Sequence, residues 1–246
     1  GTPIPFADAA LSNARDLVCV TATDTAPLCG AHFASGVRKY SAIPRNTEYH
    51  PEMGLRILLS ALIRTAARYD VGARPLLSHV SDHYVRTYLK IEPGARRADE
   101  FIDLLGYIYH CPECLWRRTE KTLIASPPGS CQNCQSDQLV TAGPVWLGKS
   151  HDGDFVRDTM NDLDDSMGKR DRAHGLLDRM DDELYEPTHY DQHRLTKRWG
   201  KPATSMETLL TSLRDSGFNA SRTHFGGTTF KTNASVSQIR RVVSGS

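Results

Sequence analysis

The sequence predicts an α/β chain, and three features carry that expectation. Residues 16–21 are apolar without alternation, as in a strand of a parallel sheet covered on both faces. Residues 51–69 place Leu55, Leu58, Leu59, Leu62, Ala66 and Tyr69 on one stripe at helical spacing. Cys111, Cys114, Cys131 and Cys134 form a C-x2-C-x16-C-x2-C pattern flanked by strand-like runs. A chain of 246 residues suits one large globular domain or two ordinary ones. With 39% hydrophobic and 24% charged residues, collagen, a disulfide scaffold and wholesale disorder are excluded. No apolar run approaches the roughly 18 residues of a membrane span and no secretory segment opens the sequence, so a soluble, cytoplasmic chain with no membrane partner is expected.

Taken in order, residues 4–15 suit a short helix carrying Phe6, Ala9, Ala10 and Leu11 on its apolar face. The strand at 16–21 runs into a loop ending at Gly30, and in open α/β sheets such loops hold ligands. The helix at 51–69 follows, with Arg56, Arg64 and Arg68 on a second face and Arg38, Lys39 and Arg45 just upstream. That basic face is either solvated or a phosphate-contacting stripe. Residues 75–78 and 85–91 are strand-like, with His79 and His83 between them reading as hydrogen-bonded loop histidines; no H-E-x-x-H motif accompanies them.

Residues 107–109 and 122–124 read as strands around the first cysteine knuckle, and 127–129 turns the chain into the second. Each C-x-x-C turn aims two sulfurs at one centre, so two turns complete the tetrahedron of a structural zinc site. Matched pairs without a secretory signal weigh against disulfides or a redox motif, and four thiolates leave no open position for catalysis. Trp146 beyond the second knuckle reads as core.

Lys+Arg 30 against Asp+Glu 29 leaves the chain nearly neutral overall, but the charge is partitioned. Residues 152–191 carry thirteen Asp/Glu against five Lys/Arg and two amphipathic patterns, Leu163 with Met167 and then Leu176, Leu177, Met180 and Leu184. A solvated acidic helical insert is expected there, Glu183 among its carboxylates. Residues 192–246 carry nine Lys/Arg against Glu207 and Asp215. There a capping box at 204–207 opens a helix ending at Gly217, Gly226-Gly227 signals a two-residue hairpin between 221–225 and 228–232, and Ser235 or Ser237 caps a last helix. Helix, helix and hairpin with a basic bias suit a winged, nucleic-acid-facing module.

Several stretches resemble the archaeal and eukaryotic tRNA guanine-26 N2-dimethyltransferases, an S-adenosylmethionine-dependent family. They are residues 1–6 (Gly-Thr-Pro-Ile-Pro-Phe), 20–30 (Val-Thr-Ala-Thr-Asp-Thr-Ala-Pro-Leu-Cys-Gly), 38–40, 54–58, 75–78 with 82–84, 143–148, 220–225 and 231–234, in the family's order and over nearly the whole chain. The resemblance implies the C-terminal part of a Rossmann-like methyltransferase sheet over 1–70. An α+β RNA-recognition domain over 71–246 would follow, holding a zinc ribbon at 107–148, the acidic insert at 152–191 and the basic module at 192–246.

In that family the catalytic motif is D-P-F-G, and Gly1 looks like its last residue. By that comparison roughly the first third, with the catalytic Asp and most of the cofactor site, would lie upstream, and no catalytic residue is assigned here. Gly1, Pro3, Thr23 and Asp24 would form a wall of the active site. Arg38, Lys39, Arg56, Arg64, Arg222, His224 and Lys231 are candidate tRNA contacts, and Cys111, Cys114, Cys131 and Cys134 the zinc ligands. The expected function is S-adenosylmethionine-dependent dimethylation of guanine 26 of tRNA, through a chain that binds tRNA and zinc but is not catalytic alone. The alternative is a stand-alone zinc-ribbon RNA-binding protein.

Overall fold

In the computed structural model, which describes residues 1–245, the chain builds three small antiparallel sheets, each of three strands. The first contains β1 (Leu17–Ala22), β2 (Val71–Ser81) and β3 (Tyr84–Pro93) in the order β1-β3-β2. β1 pairs with β3 from Leu17 opposite Lys90 to Ala22 opposite Val85.

The expectation of a parallel strand covered on both faces is therefore corrected. β1 runs antiparallel to β3, and its burial alternates, Val18, Val20 and Ala22 inward while Leu17 and Cys19 face out. Chemically Leu17 and Cys19 resemble their buried neighbours, so the run hid a period of two.

Helix α1 (Ile4–Asn13) has the expected position but a different inner face. Ala7 and Leu11 are buried and Phe6 is 73% exposed. Short helices α2 (Thr25–Leu28) and α3 (Phe33–Tyr40) then lead into α4 (His50–Ala67), the central helix. Every residue of α4 from Glu52 to Thr65 except Arg64 is buried, so its contact surface is wider than the apolar stripe, whose last member, Tyr69, lies past the helix end and is exposed. Each fully buried leucine among Leu55, Leu58, Leu59 and Leu62 contributes about 1.5–3 kcal/mol by leaving water. Gly30 (φ +85°) bends the chain before α4, and a Cβ there would meet the Asn46 backbone nitrogen at 2.6 Å, so only glycine fits.

Helix α5 (Ala95–Ile102) leads to the second sheet, β4 (Leu105–His110), β5 (Arg117–Lys121) and β6 (Val140–Trp146), ordered β5-β4-β6. The strand expected at 122–124 lies earlier, at β5. Pairing starts at Arg117 opposite His110, just past the first knuckle, and reaches Lys121 opposite Gly106, where β4 is nearly spent. Leu123 and Ile124 are left 69% and 80% exposed. As a charged edge strand, β5 lacks the apolar signature of a buried one. Trp146 is core, 2% exposed.

The acidic insert holds α6 (Gly153–Asn161) and α7 (Arg170–Asp181). The first helix precedes the Leu163/Met167 pattern instead of containing it, because Asp152 caps α6 by accepting from the Phe155 nitrogen at 3.1 Å. Val156, Leu177 and Met180 pack on Leu77 of β2.

The third sheet, β7 (Tyr190–Asp191), β8 (Ala220–Arg222) and β9 (Thr229–Thr232), has the order β7-β9-β8. Around it lie α8 (Gln192–Trp199), α9 (Met206–Asp215) and α10 (Val236–Gly245). The succession β7-α8-α9-β8-β9 is the helix-helix-hairpin arrangement anticipated. Ser205, not Thr204, caps α9 by accepting from the Thr208 nitrogen at 3.1 Å. Gly226 and Gly227 do not make a two-residue turn, since neither takes the left-handed φ it requires. The connection is longer and is closed by a 2.6 Å hydrogen bond between the Thr223 and Thr229 hydroxyls. Ser235 faces the start of α10, with its Oγ 3.4 Å from the Gln238 nitrogen.

Candidate active-site wall, metal centre and nucleic-acid faces

Residues 1–3 lie beside the loop that leaves the carboxyl end of β1. The Thr23 nitrogen donates to the Gly1 carbonyl at 3.1 Å, and the Gly1 nitrogen donates to Thr23 Oγ1. Pro3 precedes α1, its carbonyl accepting from the Phe6 nitrogen at 3.0 Å. The Asp24 carboxylate, 10% exposed, accepts from the Tyr40 hydroxyl at 2.6 Å and the Lys39 ammonium at 3.1 Å. Burial and the adjacent carboxylate push the Tyr40 phenol upward, so it remains a donor. Gly1 is thus tied to Thr23, next to the held Asp24, with Pro3 close by in sequence at the start of α1, and Lys39, a candidate RNA contact, is spent on holding Asp24.

The four cysteines meet. Their Sγ atoms all lie within 4.8 Å of one another, with Cys111–Cys134 at 3.6 Å and Cys114–Cys131 at 3.5 Å. A tetrahedron of Zn–S bonds near 2.3 Å has edges of about 3.8 Å, so the donor set fits zinc. Both knuckles are the same turn. The Leu115 nitrogen donates to the Cys111 carbonyl at 2.9 Å, as Gln135 does to Cys131, and Leu115 and Gln135 share left-handed φ values of 63° and 62°. Cys111 donates to Trp116 and Cys131 to Ser136 in the matching positions, at 2.8 and 2.7 Å.

Three candidate RNA contacts are corrected: Arg56, Lys231 and the His224 side chain are buried. Glu52 on α4 is their hub. Its Oε1 is 2.8 Å from Arg56 Nη2 and 3.1 Å from Lys231 Nζ and accepts from the Thr188 nitrogen at 3.0 Å. Its Oε2 lies 3.0 Å from His189 Nδ1. Lys231 continues to Glu183 Oε1 at 2.8 Å, whose Oε2 accepts from the His224 nitrogen at 2.9 Å and faces His224 Nδ1 at 2.7 Å. Arg56 also donates to the carbonyls of Trp146 and Gly148, at 2.8 and 3.2 Å.

All these side chains are no more than 1% exposed, so Glu183 is not the solvated carboxylate its acidic neighbourhood suggested. Two carboxylates are matched by two cations. Burial alone would raise both carboxyls, but Lys231 foremost, with Arg56 at Glu52 and His224 at Glu183, holds them well below the usual carboxylate range. Burial pushes His189 down, leaving it neutral.

A second buried group adjoins the first. The Arg117 guanidinium carbon sits 3.7 Å from the Tyr190 ring centre and 4.6 Å from that of Tyr49, while its Nη1 donates to the His189 carbonyl at 2.7 Å and its Nη2 lies 3.6 Å from Glu48 Oε1. His110, 3.7 Å from Glu48, is held by burial down to about 4.

Of the remaining candidates, Arg38 and Arg222 are exposed. Arg64 donates to the carbonyls of Ser60 and Tyr40, at 3.2 and 2.8 Å, and lines a 280 Å³ cavity with Lys39 and Arg68. Of the two histidines expected in a loop, His79 instead lies within β2, buried and 2.9 Å from Ser81 Oγ, where burial holds it down to about 4, and His83 is exposed in the β2–β3 turn.

Two basic concavities were not singled out from the sequence. His193, Arg194, Lys197 and Arg198 of α8 line a 680 Å³ cavity with Leu115 of the first knuckle, and Arg198 donates to the Glu113 carbonyl. Their helical spacing was legible, but the facing knuckle was not. The other, of 950 Å³, lies between the β2–β3 hairpin, α7 and residues 224–225.

Comparison with known proteins bears on what these surfaces do. Residues 1–244 match the model of the family described as N2,N2-dimethylguanosine tRNA methyltransferase. The chain is 58% identical over 243 residues to the tRNA (guanine(26)-N(2))-dimethyltransferase of Halobacterium salinarum, covering 99% of this chain and 66% of that protein. It is 45% identical over 244 residues to the enzyme of that name from Methanosarcina mazei, covering 99% and 63%. Among solved structures it matches the complex of Trm1 from Pyrococcus horikoshii with S-adenosyl-L-methionine, with TM-score 0.90, 36% identity, and 99% of this chain against 63% of that one. The chain thus spans about two thirds of the length of these relatives.

Proposed function

Because the chain belongs to the N2,N2-dimethylguanosine tRNA methyltransferase family, we propose that it is the part of a tRNA guanine-26 N2-dimethyltransferase that walls the active site and holds the tRNA. The observation that carries this reading is the match over residues 1–244, within which the Gly1–Thr23–Asp24 wall stands at the carboxyl end of β1. Bound S-adenosylmethionine supplies a sulfonium methyl. That methyl would pass to the guanine N2 with the thioether as leaving group and the amine proton going to an acceptor, and a second cofactor molecule would supply the second methyl.

The exocyclic amine is a weak nucleophile because its lone pair is delocalised into the ring, so the reaction depends on in-line placement and an acceptor for the proton. Thr23 and Asp24 support that placement. The Tyr40 and Lys39 donors fix the Asp24 carboxylate, which leaves it a positioning group instead of a free base. None of the described residues is assigned as the proton acceptor. That group and most of the cofactor site belong, on this reading, to the third of the relatives' length that the chain does not match.

We further infer that the β1-β3-β2 sheet, which crosses the boundary expected at residue 70, continues a methyltransferase sheet, that 107–148 is a zinc ribbon held by Cys111, Cys114, Cys131 and Cys134, and that the part beyond β3 serves tRNA recognition. Arg38 and Arg222, together with the α8 cations beside the first knuckle, are suited to phosphates, whose charge no base sequence alters. The decisive experiment offers labelled S-adenosylmethionine to the full-length enzyme containing this chain, with tRNA carrying guanine or adenine at position 26. Two methyls on N2 of guanine 26, and none on adenine, are expected. Methyl transfer elsewhere, or none, overturns the reading. Zinc and tRNA binding without transfer by the full-length protein would establish an RNA-binding module instead.

A further inference from the structure

The five basic residues of the acidic insert are sorted in space. Arg157 pairs with Asp154 and Asp181, and Arg170 with Asp165. The other three, Lys169, Arg172 and Arg179, line the 950 Å³ cleft between α7 and the β2–β3 hairpin, with Leu176 between them. Positions 172, 176 and 179 recur at four and three residues, which puts them on one face of α7, and Lys169 stands just before its first turn in a left-handed conformation. Other carboxylates of the insert, Asp162, Asp164, Asp165 and Asp178, are exposed and do not line the cleft.

Opposite this face stands Arg86 of β3. Its guanidinium lies 5.3 Å from the Tyr84 ring centre and its Nε donates to Thr21 Oγ1 at 2.9 Å, which fixes it beside the carboxyl end of β1. Two carboxylates share the cleft, and Asp82 is taken up by Arg172 at 2.6 Å. Lys169 and Arg179 have no ion pair among the described residues. Four cations against two carboxylates leave an excess of positive charge in a concave site, where low-dielectric walls strengthen its hold on an anion.

We infer that this cleft grips the phosphate backbone of the substrate RNA next to the reacting base, with Lys169, Arg179 and Arg86 as its phosphate contacts. The inference rests on the proposed tRNA substrate, and the position of the cleft is what gives it content. It opens at the end of the sheet where the β2–β3 hairpin stands beside the carboxyl end of β1, and a base taken out of its stack needs the strand on either side to be held. Charge alone would fit an acidic protein as well. The cleft's place at the carboxyl end of β1, next to the wall, favours RNA.

The test compares the full-length enzyme with its K169A, R179A and K169A/R179A variants, and with R96A as a surface-charge control remote from the cleft. Arg96 is 93% exposed and its neighbour Glu100 keeps Arg97. The readouts are tRNA affinity at several salt concentrations, KM and kcat, and S-adenosylmethionine affinity by calorimetry. Each cleft substitution is expected to weaken tRNA binding about three- to tenfold and to flatten the dependence of log K on log salt by about 0.7–0.9. S-adenosylmethionine affinity, melting temperature and the behaviour of R96A should not change.

An unchanged salt slope in the double variant overturns the cleft as an RNA site, even if the enzyme dimethylates guanine 26. A flattened slope with an RNA that is not methylated at guanine 26 keeps the cleft and removes the proposed reaction. Loss of melting temperature together with affinity assigns α7 a structural role and overturns the inference.

Discussion

Replacing Lys231 by Met separates a structural cation from an RNA contact. The ammonium lies 3.1 Å from Glu52 and 2.8 Å from Glu183, with all three side chains at most 1% exposed. Met keeps the volume and removes the charge. Glu52 retains Arg56 and His189, whereas Glu183 retains only His224. An uncompensated buried carboxylate costs about 3–5 kcal/mol, so urea unfolding at pH 7.5 should lose that much stability.

In the wild type both carboxyls are held low, so what they contribute is present above about pH 4.3 and is lost as the pH falls below it. In the variant the Glu183 carboxyl rises, protonation relieves the strain, and the gap to wild type narrows from pH 7.5 toward pH 5. The K231M/E183Q double variant should be more stable than K231M alone, because the orphaned charge is gone. The salt slope of tRNA binding should not move. A K231M protein of wild-type stability whose slope flattens by about one would refute the burial argument and return Lys231 to the RNA surface.

Acid should act on the wild type before its carboxylates protonate. His79, His110 and His151 are held by burial at about 4 against an unfolded value of about 6.5, so the unfolded chain binds more protons in between. Stability is therefore constant above pH 6.5 and declines below it by up to about 1.4 kcal/mol per pH unit for each histidine; a melting temperature flat down to pH 5 would contradict this. Cys114→Ser should lower the metal content measured by mass spectrometry and free Arg198 from the Glu113 carbonyl, weakening tRNA binding. Full metal content in that variant would dissolve the four-thiolate site. Asp24→Asn keeps an acceptor for Tyr40 and discharges the Lys39 pair, so kcat should fall by about tenfold with tRNA and S-adenosylmethionine affinities nearly unchanged. Leu58→Ala, at 0% exposure in α4, should cost about 2–5 kcal/mol in urea unfolding.

What the sequence revealed was local. The knuckles at 111–114 and 131–134, the helix at 50–67 and the succession after 190 all write their signals within a few residues. What it hid depends on partners far along the chain. Glu52 and Thr188 are 136 residues apart, and nothing near either announces a buried ion network. Arg56, Lys231 and His224 were therefore read as surface charge, by the same composition that correctly marks Arg38 and Arg222 as exposed. β1 shows the converse error, because Leu17 and Cys19 suggested a covered face that the fold leaves open. The α7 cations Arg172 and Arg179 are legible at helical spacing with Leu176, yet the surrounding acidic residues mask them in the average.

The first turns of α4 explain why the proposed wall and the basic faces form one unit. Glu52 takes Lys231 from β9 and His189 from the run into β7, while Arg56 holds the end of β6. Glu48 and Tyr49, just before α4, take Arg117 from β5, and Tyr190 closes its other side. Each contact is buried and charged or stacked, so a small shift would leave an ion unpaired, at a cost far above thermal energy. The cysteine knuckles, the α8 cations and the α7 cleft are thereby fixed relative to the loop leaving β1. On the proposed function, an RNA held at the basic faces would be positioned at the Gly1–Thr23–Asp24 surface by the same rigid connection.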